Sequence, residues 1–203
     1  LFDETLKRLA GGHAAVTFEK LRNFLLGPYL FAPTLEAMKQ VELPWGKLID
    51  LALENTDKRL TMGKSVTPAF LFAAILWPVL KLHLTQPVSP GMNRHQHFIQ
   101  AANQTFLEQL NYTAIPRRVT SVSREIWELQ YRLERKNKRS IEAAFSHPRF
   151  RAAYDFLLLR EQAGENLGAL GQWWTDFQNG DTKRKIQMIT AVSRPSKRRR
   201  KRT

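Results

Sequence analysis

Apolar residues recur at steps of three and four along most of this chain, the spacing of one face of an α-helix. The clearest instance is residues 115–139, IPRRVTSVSREIWELQYRLERKNKR. Ile115-Pro116 ends the preceding segment, and a proline suits the opening of a helix, where its fixed φ fits and its missing N–H is not needed. Val119, Val122, Ile126, Leu129 and Leu133 then form one stripe. Arg117, Arg124, Arg132, Arg135 and Arg139 share a second face, roughly 140° round from it at about 100° per residue. The pattern predicts a helix from residue 116 to about 137, with one face for a core and the other for an anionic partner. Eight Lys/Arg against three Glu leave this stretch at +5.

The same periodicity predicts helices elsewhere. Residues 2–10 use Phe2, Leu6 and Leu9 and stop at Gly11-Gly12. Residues 14–26 use Phe18, Leu21 and Leu25 and stop at Gly27-Pro28. A short helix follows over 30–38. Pro44 opens another, which turns Trp45, Leu48, Leu51 and Ala52 inward and ends near Asn55-Thr56-Asp57. Thr67-Pro68 is a strong start signal, a capping hydroxyl before proline. The segment after it, AFLFAAILWPVLKLHL, is apolar nearly all round, which predicts one helix at the centre of the core. TQPVSPG at 85–91 reads as a loop. Residues 92–110 and 140–145 are helical. Phe150, Ala153, Tyr154, Leu157 and Leu158 give a core face over 149–161, and Leu167, Leu170, Trp174 and Phe177 make a last helix. Only 186–192 hints at strand alternation. The prediction is an all-α array of about nine helices.

Charge changes this picture at one end. The formal net charge is +14, and residues 183–203 carry ten Lys/Arg and no acid, so the first 182 residues are close to neutral at +4. No apolar residue follows Val192, so the end of the chain, including Lys197, Arg198, Arg199 and Arg200, is expected to be a disordered polybasic tail. This asymmetry favours nucleic acid over a membrane surface, which would want an amphipathic basic helix with bulky apolar residues. The 43% hydrophobic content suffices for a real core. With no cysteine there are no disulfides or thiolate zinc sites, and the chain fits a reducing compartment. No signal peptide is visible, and the apolar run from Ala69 to Leu80 is too short to span a bilayer. The chain begins at Leu1 inside an amphipathic pattern and reads as the continuation of something longer.

Candidate chemistry is sparse. His13, His83, His95, His97 and His147 lack the spacing of convergent metal ligands and read as surface residues. Asp50, Glu54 and Asp57 could share a helix face, but a solvated face beside Lys47 and Lys58 is the better reading. There is no glycine-rich phosphate loop, no paired carboxylates after a Gly-Ser turn, and no nucleophile–base set. The basic residues are the stronger signal. Arg117, Arg118, Arg124, Arg132, Arg135, Lys138 and Arg139 cluster with Arg149 and Arg151 and are candidates for phosphate contact. The Trp173-Trp174 pair could stack a base, but Trp174 lies on an apolar stripe and core packing is preferred.

In order along the chain, LFDETLKRLAGGHA, LGPYLFAP, ALENTDKRL, VTPAFLFAAILWP, IPRR, REIWELQYRLERK, HPRFRAAYDFLLLR, QWWTDFQ and the arginine-rich end resemble the C-terminal half of bacterial poly(A) polymerases. That resemblance implies a nucleotidyltransferase that adds AMP from ATP to RNA 3′ ends, using Mg2+ held by carboxylates of a head domain. No cofactor is then expected on this chain, because the head's carboxylates and its ATP-selecting motif match no segment of it. The resemblance also implies RNA-binding neck and body helices over 1–65, an arginine-rich helical region over 66–180, and the tail over 181–203. RNA, and RNA-decay proteins, would be the partners, in the cytoplasm. A stand-alone basic all-α RNA-binding or adaptor protein without enzymatic activity is the alternative.

Overall fold

The computed structural model describes residues 2–9, 11–40 and 45–193. Among these there are twelve α-helices and no strand: α1 Phe2–Leu9, α2 Ala14–Asn23, α3 Gly27–Gln40, α4 Trp45–Thr61, α5 Pro68–Ile75, α6 Trp77–Thr85, α7 Arg94–Leu110, α8 Arg117–Leu133, α9 Lys138–Phe145, α10 Phe150–Ala163, α11 Leu170–Asn179 and α12 Thr182–Ser193. The all-α expectation holds, and the count exceeds nine for physical reasons.

The predicted central helix is two helices. α5 and α6 meet at Leu76 with a bend of 44°. Pro78 cannot donate to the Ala74 carbonyl and its ring crowds it, so the helix restarts with Trp77-Pro78 in its first turn. Thr34 donates its hydroxyl to the Ile75 carbonyl beside this bend, 2.9 Å away. Proline acts similarly in α3, where Phe31 leaves the helical region (φ −139°, ψ 38°) two residues before Pro33. The Leu30 carbonyl there accepts from Gln109 Nε2 at 2.7 Å and Thr113 Oγ1 at 3.2 Å. Gly27-Pro28 opens α3, whereas α2 has already ended at Asn23 and turns through Leu25 at φ 55°. α4 runs past the expected stop at 55–57. Asp57 on α4 instead caps α2: its two carboxylate oxygens accept from the Ala14 and Ala15 N–H groups at 2.7 and 3.0 Å. The expected opening at Pro44 lies outside the described residues.

α8 lies along α5 and α10. Ala69 and Ala73, four apart on α5, offer carbonyls to Ser123 Oγ (2.8 Å) and Trp127 Nε1 (3.0 Å), also four apart on α8. Alanines allow the backbones this approach, because little side chain separates them. Gln130 Nε2 reaches the Ala153 carbonyl of α10 at 2.8 Å. Val119, Ile126, Leu129 and Leu133 are buried as predicted, and Val122 is half-buried. The helix stops at Leu133, short of residue 137. The Leu133 carbonyl, left without an intrahelical partner, accepts from Trp174 Nε1 at 3.1 Å.

Three apolar clusters make the core. One joins α1–α5 to Val119 of α8, a second links α4–α8 and α10, and a third packs α8–α12. Two of them contain residues from both sides of position 65, so the expected division there does not separate two cores. The tail boundary also moves. Residues 182–193 form α12, whose Met188 is buried in the third cluster, so the weak strand signal at 186–192 is overturned as well. A helical apolar stripe of Met188, Ile189 and Val192 was hidden among lysines and threonines. No single helix among the described residues is long and apolar enough to cross a membrane.

Candidate nucleic-acid interface

The predicted arginine row divides where α8 ends. Arg117, Arg124 and Arg132 lie on α8, Arg135 lies in the turn after it, and Lys138 and Arg139 open α9. Arg117, Arg118 and Arg139 are exposed and make no ion pair among the described residues. Arg124 is half-buried, with its guanidinium 5.6 Å from the centre of the Phe106 ring, which itself stacks on Trp127. Burial lowers its pKa, and the charge of Glu128 opposes that shift. Arg132 is paired with Glu128 at 2.7 Å and Lys138 with Glu142 at 3.9 Å.

Tyr131 sits between two guanidiniums. Arg135 lies 5.2 Å from its ring centre and donates to its hydroxyl at 3.2 Å. Arg94, from the first turn of α7, lies 4.9 Å from the same ring. Neither arginine has a carboxylate partner among the described residues. A guanidinium held over a ring is positioned without being neutralised, which leaves its charge available to a phosphate.

A second basic group surrounds the start of α10. Arg149 reaches Glu125 of α8 at 3.4 Å. Arg151 pairs with Asp155 at 3.1 Å and lies over Tyr154. Arg59 of α4 approaches the same Asp155 at 3.9 Å. Lys58, Arg59, Arg149 and Arg151 border a cleft of about 490 Å³ between α4, α5, α8 and α10. Lys197, Arg198, Arg199 and Arg200 lie outside the described residues.

Several charged residues serve the fold instead. Arg160 on α10 is only 1% exposed. It donates to both Glu165 oxygens at 2.8 Å, to Gln130 at 3.0 Å and to Glu134 at 2.8 Å, and lies 4.8 Å from the Trp77 ring centre. Burial opposes its charge, but the hydrogen bonds and charges of Glu165 and Glu134 prevail and raise its pKa. Burial likewise pushes the Glu165 carboxyl up, and Arg160 with Lys81 at 3.3 Å pulls it below its ordinary value. Asp50 and Glu54 pair with Arg22 and Lys58 at 3.8 and 3.9 Å. Trp174 is fully buried, and Trp173 stacks on Phe177, as the packing reading expected. His97 is buried and His83 half-buried beside Glu108, which corrects the expectation that the histidines are all at the surface.

Sequence spacing missed Arg94, Lys58 and Arg59 because each joins its cluster through helix packing. Arg94 meets Tyr131 across the α7–α8 pair, and Arg59 meets Asp155 across α4 and α10. Only the local surplus of basic residues near 117–151 was visible beforehand.

An all-α scaffold that presents guanidiniums on aromatic rings defines a basic helical region, and comparison with known proteins gives its lineage. Residues 90–203 match the family described as "Polymerase A arginine-rich C-terminus", and the chain belongs to that family of bacterial poly(A) polymerase C-terminal regions. It is 37% identical over 183 residues to Poly(A) polymerase I of Salmonella typhi and, to the same extent, to that of Escherichia coli O157:H7; each match covers 88% of this chain and 39% of the relative. Poly(A) polymerase I of Haemophilus influenzae is 33% identical over 199 residues, covering 96% of this chain and 44% of that protein. The chain thus spans about two-fifths of the length of these relatives.

Proposed function

We propose that this chain is the RNA-holding C-terminal part of a polynucleotide adenylyltransferase, which adds AMP from ATP to RNA 3′ ends. The observation that carries this reading is the set of guanidiniums at Arg94, Arg124 and Arg135, fixed over Phe106 and Tyr131 and unpaired with carboxylates at ion-pair distance among the described residues. Arg117, Arg118 and Arg139 extend that surface, Arg149 and Arg151 form a second contact, and the basic end, with Lys197 to Arg200, raises the local RNA concentration. Arg132, Lys138, Arg149 and Arg151 contribute less than the unpaired arginines, because Glu128, Glu142, Glu125 and Asp155 offset them.

Adenylyl transfer itself, with its ATP and Mg2+, belongs in this reading to a head region outside these 203 residues. One fact supports that assignment: the relatives are more than twice as long as the matched region. RNA-decay proteins as partners and a cytoplasmic setting are part of the same proposal.

The test is the affinity of a single-stranded RNA oligomer measured against salt. Each phosphate contact contributes about 0.7 to the slope of log K against log salt for single strands. Changing Arg94, Arg124 and Arg135 together to Gln should flatten that slope by about 2. An unchanged slope would remove this surface from RNA binding.

A further inference from the structure

The cleft between α4, α5, α8 and α10 has the composition of a nucleotide site. Its floor is apolar, made by Phe70, Val122, Ile126 and Leu158. Phe70 is half-buried and edge-on to Phe156, which fixes its ring in place. The rim carries Lys58, Arg59, Arg149 and Arg151. Asp155 in the lining pairs with Arg59 and Arg151, and Glu54 and Glu125 pair with Lys58 and Arg149, which leaves the rim one positive charge in excess. The amides of Asn55 and Gln162 and the hydroxyls of Ser65 and Thr67 also line the cleft; Asn55 is half-buried and the other three are exposed, and none has a side-chain hydrogen bond among the described residues.

A volume of about 490 Å³ lies within the usual range for small-molecule sites. The ligand must combine a flat apolar body, a polar edge that both donates and accepts, and negative charge. A nucleotide has all three: a base with a π-face, an edge that amides can read, and a phosphate. The polyanion that the proposed function supplies is RNA, which brings base and phosphate together.

We propose that this cleft takes one unpaired nucleotide of the RNA strand. The base lies on the floor beside Phe70 with its edge toward Asn55 and Gln162, and the flanking phosphates lie on Arg59, Arg149 and Arg151. Asp155, shared between Arg59 and Arg151, holds those side chains at the rim until phosphate competes for them. The inference rests on the RNA-holding reading and adds a base-dependent contact to a backbone-dependent one.

The experiment uses the full chain with two fluorescent RNA oligomers of equal length, one oligo(A) and one abasic, and measures their affinities across a salt series. The wild-type chain should prefer the base-bearing oligomer by about tenfold. Ala152→Phe, which fills the cleft from α10, and the double change Asn55→Ala with Gln162→Ala should each abolish that preference while leaving the salt slope unaltered. If circular dichroism shows Ala152→Phe to be unfolded, the double variant decides, since those amides hold no structural hydrogen bond among the described residues. A preference that survives in the folded variants overturns the proposal. AMP alone is titrated by displacement; AMP that binds as tightly as the oligomer overturns the assignment to a nucleotide within a strand. Failure of both oligomers to bind at low salt would defeat the RNA-holding reading itself, whereas binding without base preference defeats only the cleft.

Discussion

Replacing Arg160 with methionine tests whether the buried ion network locks α8 to α10. Arg160 is 1% exposed, and its guanidinium makes four hydrogen bonds to Glu165, Gln130 and Glu134. Methionine has similar reach but no donors. The loss of attraction matters less than what remains: Glu165, 14% exposed, would keep only Lys81 as a cationic partner, and the Gln130 oxygen would lose its donor. Removing one member of a buried pair costs about 3–5 kcal/mol. For a chain of this size each kcal/mol moves the melting temperature by about 2–4 °C, so a fall of about 6–20 °C is expected. Thermal unfolding followed by circular dichroism reads this directly. The double variant Arg160→Met with Glu165→Met should lose less than the sum of the two single changes, because no charge is then stranded. A single variant within about 2 °C of wild type would refute the claim that this network holds the two helices together.

Two further outcomes follow from the same packing. Glu165 has a folded-state pKa below its ordinary value of 4.5, so its contribution to stability is fully present above that pH and is lost as pH falls through the lower folded value; the melting-temperature gap between wild type and Glu165→Gln should be constant from pH 6 to 8 and shrink below about 4.5. Asp57→Ala uncaps α2 by removing the acceptors of two backbone N–H groups and should cost about 1 kcal/mol, with faster amide exchange at residues 14 and 15 as the local signature and unchanged exchange there as the contrary result.

Much of this fold is legible where a residue's role depends on its own helix. Val119, Ile126, Leu129 and Leu133 announce their burial by spacing alone, and Thr67-Pro68 marks the start of α5. Roles that depend on a neighbouring helix leave no such trace. Ser123 and Gln130 look like surface residues, yet both are buried because carbonyls of α5 and α10 face them. Arg160 follows three leucines in a pattern that gives no sign of burial, and its partners Gln130 and Glu134 lie on α8 or just beyond its end. Pro78 sits in so apolar a run that hydrophobicity masks the break it imposes. The candidate interface divides the same way. The surplus of arginines near α8 is plain in sequence, whereas which of them are neutralised is decided by Glu125, Glu128 and Asp155, and which are held in place uncancelled by the rings of Phe106 and Tyr131.

The central claim is that the folded helices, and not the basic end alone, hold RNA. The most direct measurement is the salt dependence of single-stranded RNA binding by a chain ending at residue 193, with and without the Arg94, Arg124 and Arg135 to Gln changes. The account predicts that the shortened chain still binds with a clear salt slope, and that the three changes reduce it by about 2. Loss of all RNA binding on removal of residues 194–203 would contradict it.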